Sequence, residues 1–156
     1  MKIETPRNWL WMNRKAEVVL VIQNKENKIL LMNKKFYPEK VFRLPTGGIN
    51  ENEEPEQAAI RELKEETGIT EKPELIETIE YTENNQTFFT SYIFLIKSNQ
   101  KPACEDENEQ ITQFKYVTPN ELTKTIEKLN NLTGKWNTWG KFRTITHKQI
   151  GKKLEG

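Results

Sequence analysis

The spacing of apolar and polar positions changes several times along the chain, and each change marks an expected element. Residues 17–23 form a run rich in Val, Leu and Ile, and residues 28–32 form another after the polar turn 24–27. Two such runs about a short turn predict a β-hairpin. Residues 34–40 are a basic, aromatic loop with Phe36, Tyr37 and Pro38, and residues 41–44 lead into Pro45-Thr46-Gly47-Gly48. The two glycines are expected to supply backbone angles closed to other residues. Glu54-Pro55 predicts a helix start, because proline suits the first helical position and Glu53, Glu54 and Glu56 favour the positive helix end. That helix is expected to reach about Thr67, with Gly68 as its stop.

Further on, residues 74–82 and 87–97 read as two strands joined at Glu83-Asn84-Asn85-Gln86. A polar, acid-rich loop covers 98–110, and 111–117 is a strand with Phe114 and Tyr116 in alternation. Thr118-Pro119-Asn120-Glu121 is a capping-box sequence that opens a helix with Leu122, Ile126 and Leu129 on one side. Residues 1–14 read as an N-terminal arm carrying Trp9, Leu10, Trp11 and Met12. Residues 133–156 read as a helical tail, with Trp136, Trp139, Phe142, Ile145 and Ile150 near helical spacing. Strands on both sides of a central helix indicate a mixed α/β domain spanning 1–156.

Composition narrows the function classes. The 24 basic and 23 acidic residues leave a formal charge of +1, so no bulk field favours long nucleic acid or an anionic membrane. Apolar runs of about five residues fall far short of the roughly 20 that a spanning helix needs. A cytoplasmic location is the resulting expectation. The single cysteine, Cys104, leaves no intramolecular disulfide and no multi-cysteine zinc site. The single histidine, His147, reads as a solvated helix residue.

Candidate chemistry concentrates between Gly47 and Ile69, in GGINENEEPEQAAIRELKEETGI. On a helix, Glu62, Glu65 and Glu66 stand at i, i+3 and i+4 and so share a face. Their mutual repulsion asks for a counter-charge, which a hard cation such as Mg²⁺ supplies through oxygen ligands. Arg61 reaches Glu65 one turn on, while Ala59 and Leu63 dock the helix on the sheet. A Glu-rich, Lys-paired surface helix is the competing reading of the same carboxylates.

Taken together, Gly47, Glu53, Arg61, Glu62, Leu63, Glu65, Glu66, Gly68 and Ile69 resemble the Nudix box at every specified position. The resemblance implies an α/β/α sandwich with a central mixed sheet. It also implies Mg²⁺ or Mn²⁺ as cofactor, with Glu62, Glu65 and Glu66 as ligands and the Gly47 carbonyl as a further one. Arg61 would orient a box glutamate. The implied reaction is attack of water on a diphosphate phosphorus of a nucleoside diphosphate derivative, of the NTP, nucleotide-sugar or ADP-ribose type. The general base is either a box glutamate or Glu109, which precedes Ile111 in EQITQFKYV as in the family's later loop. Glu105, Asp106 and Glu107 neighbour it in a solvated acidic loop.

Outside the box, Tyr37 and Phe42, with Phe36, are candidates for base stacking, and Phe88, Phe89 and Tyr92 are alternatives. Arg43, with Lys34 or Lys35, is a candidate phosphate contact, as is the backbone of Gly48. Residues 74–101 lack the proline that ADP-ribose members tend to carry, and the S-Q-P-W-P signature of NADH-cleaving members is absent. Trp136 and Trp139 are expected to pack the tail on the body, with a homodimer interface left open. A nucleotide sensor that binds without cleaving is the alternative function. The complete set of box carboxylates favours the enzyme.

Overall fold

The computed structural model describes residues 1–104 and 106–155, so Glu105 lies outside the described residues. Seven strands form one mixed sheet: β1 (Lys2–Glu4), β2 (Ala16–Gln23), β3 (Ile29–Lys34), β4 (Thr46–Gly48), β5 (Glu74–Glu83), β6 (Gln86–Lys97) and β7 (Ile111–Val117). Their order is β1-β5-β6-β2-β3-β7, with β4 paired to β2. Three helices, α1 (Pro55–Thr67), α2 (Pro119–Asn130) and α3 (Asn137–Glu155), complete the described secondary structure together with short 3₁₀ turns.

β2 explains the layering. Its residues are almost continuously apolar because both faces of this central strand are covered. Val18, Leu20 and Ile22 point to one side and pack with Ala58, Ala59 and Leu63 of α1. Val19 and Val21 point to the other and pack with Leu122 of α2 and with Phe142 and Ile150 of α3. The expected α/β/α arrangement is therefore present. Glu17 shares the parity of Val19, so the one carboxylate of this strand points towards α3 and is 1% exposed.

The helix ends follow their local chemistry. α1 begins with a capping box between Glu54 and Gln57, and it ends at Gly68, whose φ of 72° is left-handed. α2 begins with the Thr118–Glu121 capping box. The β5–β6 turn places Asn84 and Asn85 at φ 53° and 65°, a conformation asparagine tolerates in tight hairpins.

Two short strands depart from the sequence expectation. β1, inside the N-terminal arm, pairs parallel with β5 through Lys2↔Glu80, Ile3↔Tyr81 and Glu4↔Thr82. β4 contains both glycines of the Pro45–Gly48 segment and pairs antiparallel with β2, Val18 opposite Gly47. Neither Gly47 nor Gly48 has a positive φ, so these glycines do not serve unusual backbone angles. Their role is close approach. A Cβ on Gly47 would overlap the Glu62 carboxyl group, and one on Gly48 would overlap the Arg14 guanidinium.

The segment before β4 bridges β2 and β3 where they diverge. Arg43 exchanges backbone hydrogen bonds with Met32 (2.8 and 3.0 Å), and the Leu20 amide donates to the Pro45 carbonyl (2.9 Å). The box glycines are thereby fixed to the sheet beside α1. α2 and α3 cross closely at Gly140, where a Cβ would overlap the Leu129 carbonyl oxygen.

His147 corrects the sequence expectation. It is 1% exposed rather than solvated. Its Nε2 accepts from the Leu44 amide (3.1 Å), and Nδ1 stands 2.7 Å from the Arg143 carbonyl, to which it donates in the neutral tautomer this pairing requires. It ties α3 to the sheet.

Candidate active site

The buried stripe of α1 contains Ala58, Ala59 and Leu63 but also Glu62 and Glu66. The helix therefore carries two carboxylates inward beside its apolar docking surface, and Glu65 lies further out. One carboxylate oxygen each of Glu62, Glu65 and Glu109 falls within 4.8 Å of the others. Glu109 arrives from a 3₁₀ turn, Glu107–Glu109, capped by the Asp106 carboxylate accepting from the Asn108 amide. Lys34 on β3 stands 3.6 Å from Glu109.

Glu66 is 2% exposed, and its Oε2 has no hydrogen-bond partner among the described residues. Burial, and then the Glu62 charge, push its carboxyl well above the usual carboxylate range, while Lys34 and Arg43 pull the other way. Burial also raises Glu62, with Glu65 and Glu109 adding to the shift and Arg61 opposing it. Converging carboxylates at low solvation are unfavourable alone, and a divalent cation with oxygen coordination reverses that balance. The donor set fits a hard metal ion.

Arg61 organises the outer side of the cluster. Its Nε and Nη2 donate to the two oxygens of Glu53 (both 2.8 Å), Nη2 also to the Gly48 carbonyl (2.9 Å), and Nη1 to Glu62 (2.7 Å) and Glu65 (3.3 Å). The Arg61 hydrogen bonds bring the Glu53 carboxyl down to about 2. Arg61 thus links the β4 glycines, the loop before α1 and two box carboxylates through one planar group.

A cleft of about 410 Å³ runs past this cluster and is lined by Gly47, Gly48, Glu62, Glu66 and Glu109. Arg43 and Tyr37 line it too. Arg43 is 5% exposed and already donates to the Leu44 carbonyl (3.1 Å), the Tyr37 hydroxyl (3.0 Å) and the Thr46 hydroxyl. Phe42 is not brought to the cleft. It packs in the α2/α3 side of the core, with the Lys115 ammonium 4.1 Å from its ring, and lines a separate cavity. Adjacent residues on an extended segment point to opposite faces, which is why Arg43 enters the cleft and Phe42 does not. Phe89 is likewise a core residue, packed against Tyr81 and Phe142.

Sequence reasoning missed the other wall of the cleft. Trp9, Trp11, Met12 and Arg14 from the arm, and Trp136, Trp139 and Arg143 from the tail, all line it. Arg143 Nη1 donates to both oxygens of Glu17 (2.8 and 2.9 Å), a pair buried on both sides. A lone glutamate in an otherwise apolar strand, and an arginine beside Phe142 on the apolar stripe of the tail, were the available signals.

The model of the NUDIX domain matches residues 12–139. An RNA pyrophosphohydrolase of Hydrogenovibrio crunogenus is 36% identical over 90 residues, which are 58% of this chain and 52% of the relative. The chain spans about half the length of the curated relatives it matches. Among solved structures, the NUDIX domain of Shewanella oneidensis NrtR complexed with ADP ribose superposes with a TM-score of 0.62 at 16% identity. That match covers 92% of this chain and 90% of the other. The E. coli dihydroneopterin triphosphate pyrophosphohydrolase gives 0.59 at 20% identity, covering 90% of this chain and 97% of the other. These likenesses show a common fold. With the family model spanning most of its length, and Gly47, Glu62 and Glu66 of the box at one cleft, the chain belongs to the Nudix family.

Proposed function

We propose that this chain is a divalent-metal-dependent hydrolase of the diphosphate linkage in nucleoside diphosphate derivatives, working as one domain from the arm to the tail. The observation that carries the reading is the meeting of Glu62, Glu65 and Glu109 within 4.8 Å, beside a buried Glu66 oxygen without a partner. Glu62, Glu65 and Glu66, with the Gly47 carbonyl, would hold Mg²⁺ or Mn²⁺. When bound, the ion neutralises phosphate oxygens and acidifies water.

The chain's own residues supply the remainder. Arg61 fixes Glu62 and Glu65, and binds the Gly48 carbonyl, so the ligand carboxylates and the β4 backbone keep one geometry. Glu109 is the proposed general base, and Lys34 at 3.6 Å holds it in place. Arg43, which lines the cleft with Glu66, offsets part of the Glu66 charge. Phosphoryl transfer depends mainly on positioning and charge neutralisation, which these groups provide.

In this reading the enzyme is cytoplasmic and its substrate is a small nucleotide. No helix among the described residues is long and apolar enough to cross a membrane. A second substrate, the 5′ end of an RNA, is favoured by the RNA pyrophosphohydrolases that the chain resembles. Both present a phosphoanhydride to the carboxylates.

The test is a panel of nucleoside triphosphates, nucleotide sugars, ADP-ribose and a 5′-triphosphorylated oligonucleotide. Each is incubated with Mg²⁺ or Mn²⁺; the triphosphates are read by released phosphate or pyrophosphate, and the nucleotide sugars and ADP-ribose by the phosphate that a coupled phosphatase frees from the product monoesters. Turnover of at least one substrate, abolished by Glu66→Gln in a folded protein, is expected. Tight nucleotide binding without turnover across the panel would establish the sensor instead.

A further inference from the structure

All four tryptophans of the chain, Trp9, Trp11, Trp136 and Trp139, line the cleft that Glu62 and Glu66 also line. Trp136 is central to this wall. Its ring lies 5.3 Å from Trp11, 5.1 Å from Trp139 and 5.9 Å from Tyr37, and it stacks with Phe36 at 6.4 Å and 19°. Trp11 and Phe36 remain about half exposed, so the wall opens to solvent. Aromatic faces of this kind hold planar rings by stacking, whatever the sequence of polar atoms on the ring edge.

Arg143 adds a means of reading that edge. Among the described residues, the buried side-chain nitrogens and oxygens with no hydrogen-bond partner are Glu66 Oε2 and Arg143 Nε, and both residues line this cleft. The metal reading accounts for Glu66 and leaves Arg143 unused. Arg143 is 3% exposed. Its Nη1 is committed to Glu17, and its Nη2 meets only the Met12 sulfur at 3.9 Å. The Nε–Nη2 edge is thus two parallel N–H donors lacking an oxygen or nitrogen acceptor. Glu17, itself held by the Ser91 hydroxyl (2.8 Å), fixes the guanidinium and neutralises it. A neutral ligand edge with two acceptors suits this group better than a phosphate.

We propose that Arg143 is the specificity-determining residue of this cleft, its Nε–Nη2 edge binding two adjacent acceptors of a 6-oxopurine base laid against the tryptophan wall. The proposal rests on the nucleotide reading given above and names the base. Guanine and hypoxanthine present O6 and N7 side by side, both acceptors, and match the fork of an arginine. Adenine presents an amino donor beside N7 and leaves one N–H opposed. Met12, an unbranched and adaptable side chain, covers the edge until the base displaces it. The Arg143 backbone is held in turn by His147, through its carbonyl (2.7 Å).

The test uses the metal-free full chain and nucleosides without phosphate, so its outcome is independent of hydrolysis. Guanosine, inosine, adenosine and uridine are titrated, and binding is read from tryptophan fluorescence. Guanosine and inosine are expected to bind at least about tenfold more tightly than adenosine or uridine, neither of which presents two adjacent acceptors. Arg143→Lys keeps a positive charge for Glu17 but loses the planar fork, and should bring the guanosine-to-adenosine ratio close to one. Trp136→Ala, at a partly exposed position, should weaken all four nucleosides while preserving the ratio. Equal affinity for guanosine and adenosine, tightest binding of uridine, or no binding of any nucleoside by the wild-type chain overturns the proposal. None of these results would alter the diphosphatase reading. A chain that binds guanosine selectively but hydrolyses nothing would overturn only that reading.

Discussion

Replacing His147 by Gln should change the pH dependence of stability in a calculable way. The imidazole is enclosed, accepts from the Leu44 amide and donates to the Arg143 carbonyl. Burial, opposed by the Arg143 carbonyl and reinforced by the Arg43 and Arg143 charges, brings its pKa down from 6.5 to about 3. The unfolded chain therefore takes up this proton before the native protein does. The native-state advantage is complete above the unfolded value and is lost as pH falls from about 6.5 towards about 3. Between pH 7.5 and pH 5.0 the loss is RT ln(1 + 10^1.5), about 2 kcal/mol. For a chain of this size that corresponds to roughly 4–8 °C in Tm.

The assay is urea unfolding of wild type and His147→Gln at both pH values with EDTA present. Carboxylate contributions are common to both proteins and cancel in the difference. Wild type should be the more stable at pH 7.5, and its advantage should shrink by about 2 kcal/mol at pH 5.0. A difference that stays constant between the two pH values would show that His147 titrates as a solvated residue and would refute the reasoning.

Further outcomes concern Arg61, Gly140 and the metal site. Arg61→Ala removes the donors that hold Glu53 at about 2, so NMR titration should find that carboxyl back near the ordinary glutamate value of 4.5. Metal affinity, measured by calorimetry, should fall roughly 10–100-fold in the same variant. Gly140→Ala places a methyl group into the Leu129 carbonyl oxygen at the α2–α3 crossing and should cost about 1–3 kcal/mol in urea unfolding, with turnover per folded molecule retained. Adding Mg²⁺ to the EDTA-treated wild type should raise Tm, because an ion that binds only the native state stabilises it by mass action. Glu66→Gln should start from a higher Tm than metal-free wild type at pH 8, having shed a buried, repelled carboxylate, and should gain little from Mg²⁺.

The parts of this molecule that were legible in its sequence are those set by local spacing. The α1 limits at Pro55 and Thr67, the Thr118 cap and the β5–β6 asparagine turn each depend on a few consecutive residues. The shared face of Glu62, Glu65 and Glu66 is likewise a matter of helical period. β1 and β4 were hidden because three-residue strands are too short for an alternating pattern, and β4 is Thr-Gly-Gly. The glycine pair was legible as special, yet for the wrong physical reason. Both φ angles are ordinary, and what glycine provides is room for the Glu62 and Arg14 side chains.

Long-range pairs were out of reach for a different cause. Glu17 and Arg143 are 126 positions apart, and each looks like a surface residue until β2 and α3 are packed together. His147 and Leu44, separated by 103 positions, present the same problem. Phe42 and Arg43 show the limit on a finer scale. Both read as cleft residues from sequence, but an extended segment sends neighbouring side chains to opposite faces.

Diffraction from crystals soaked in Mn²⁺, recorded for the anomalous signal of manganese, tests the central claim most directly. The account predicts a peak among the carboxylates of Glu62, Glu65 and Glu66 beside the Gly47 carbonyl, lost in Glu66→Gln. Crystals of a folded protein with no peak there, or with manganese bound elsewhere, would contradict it.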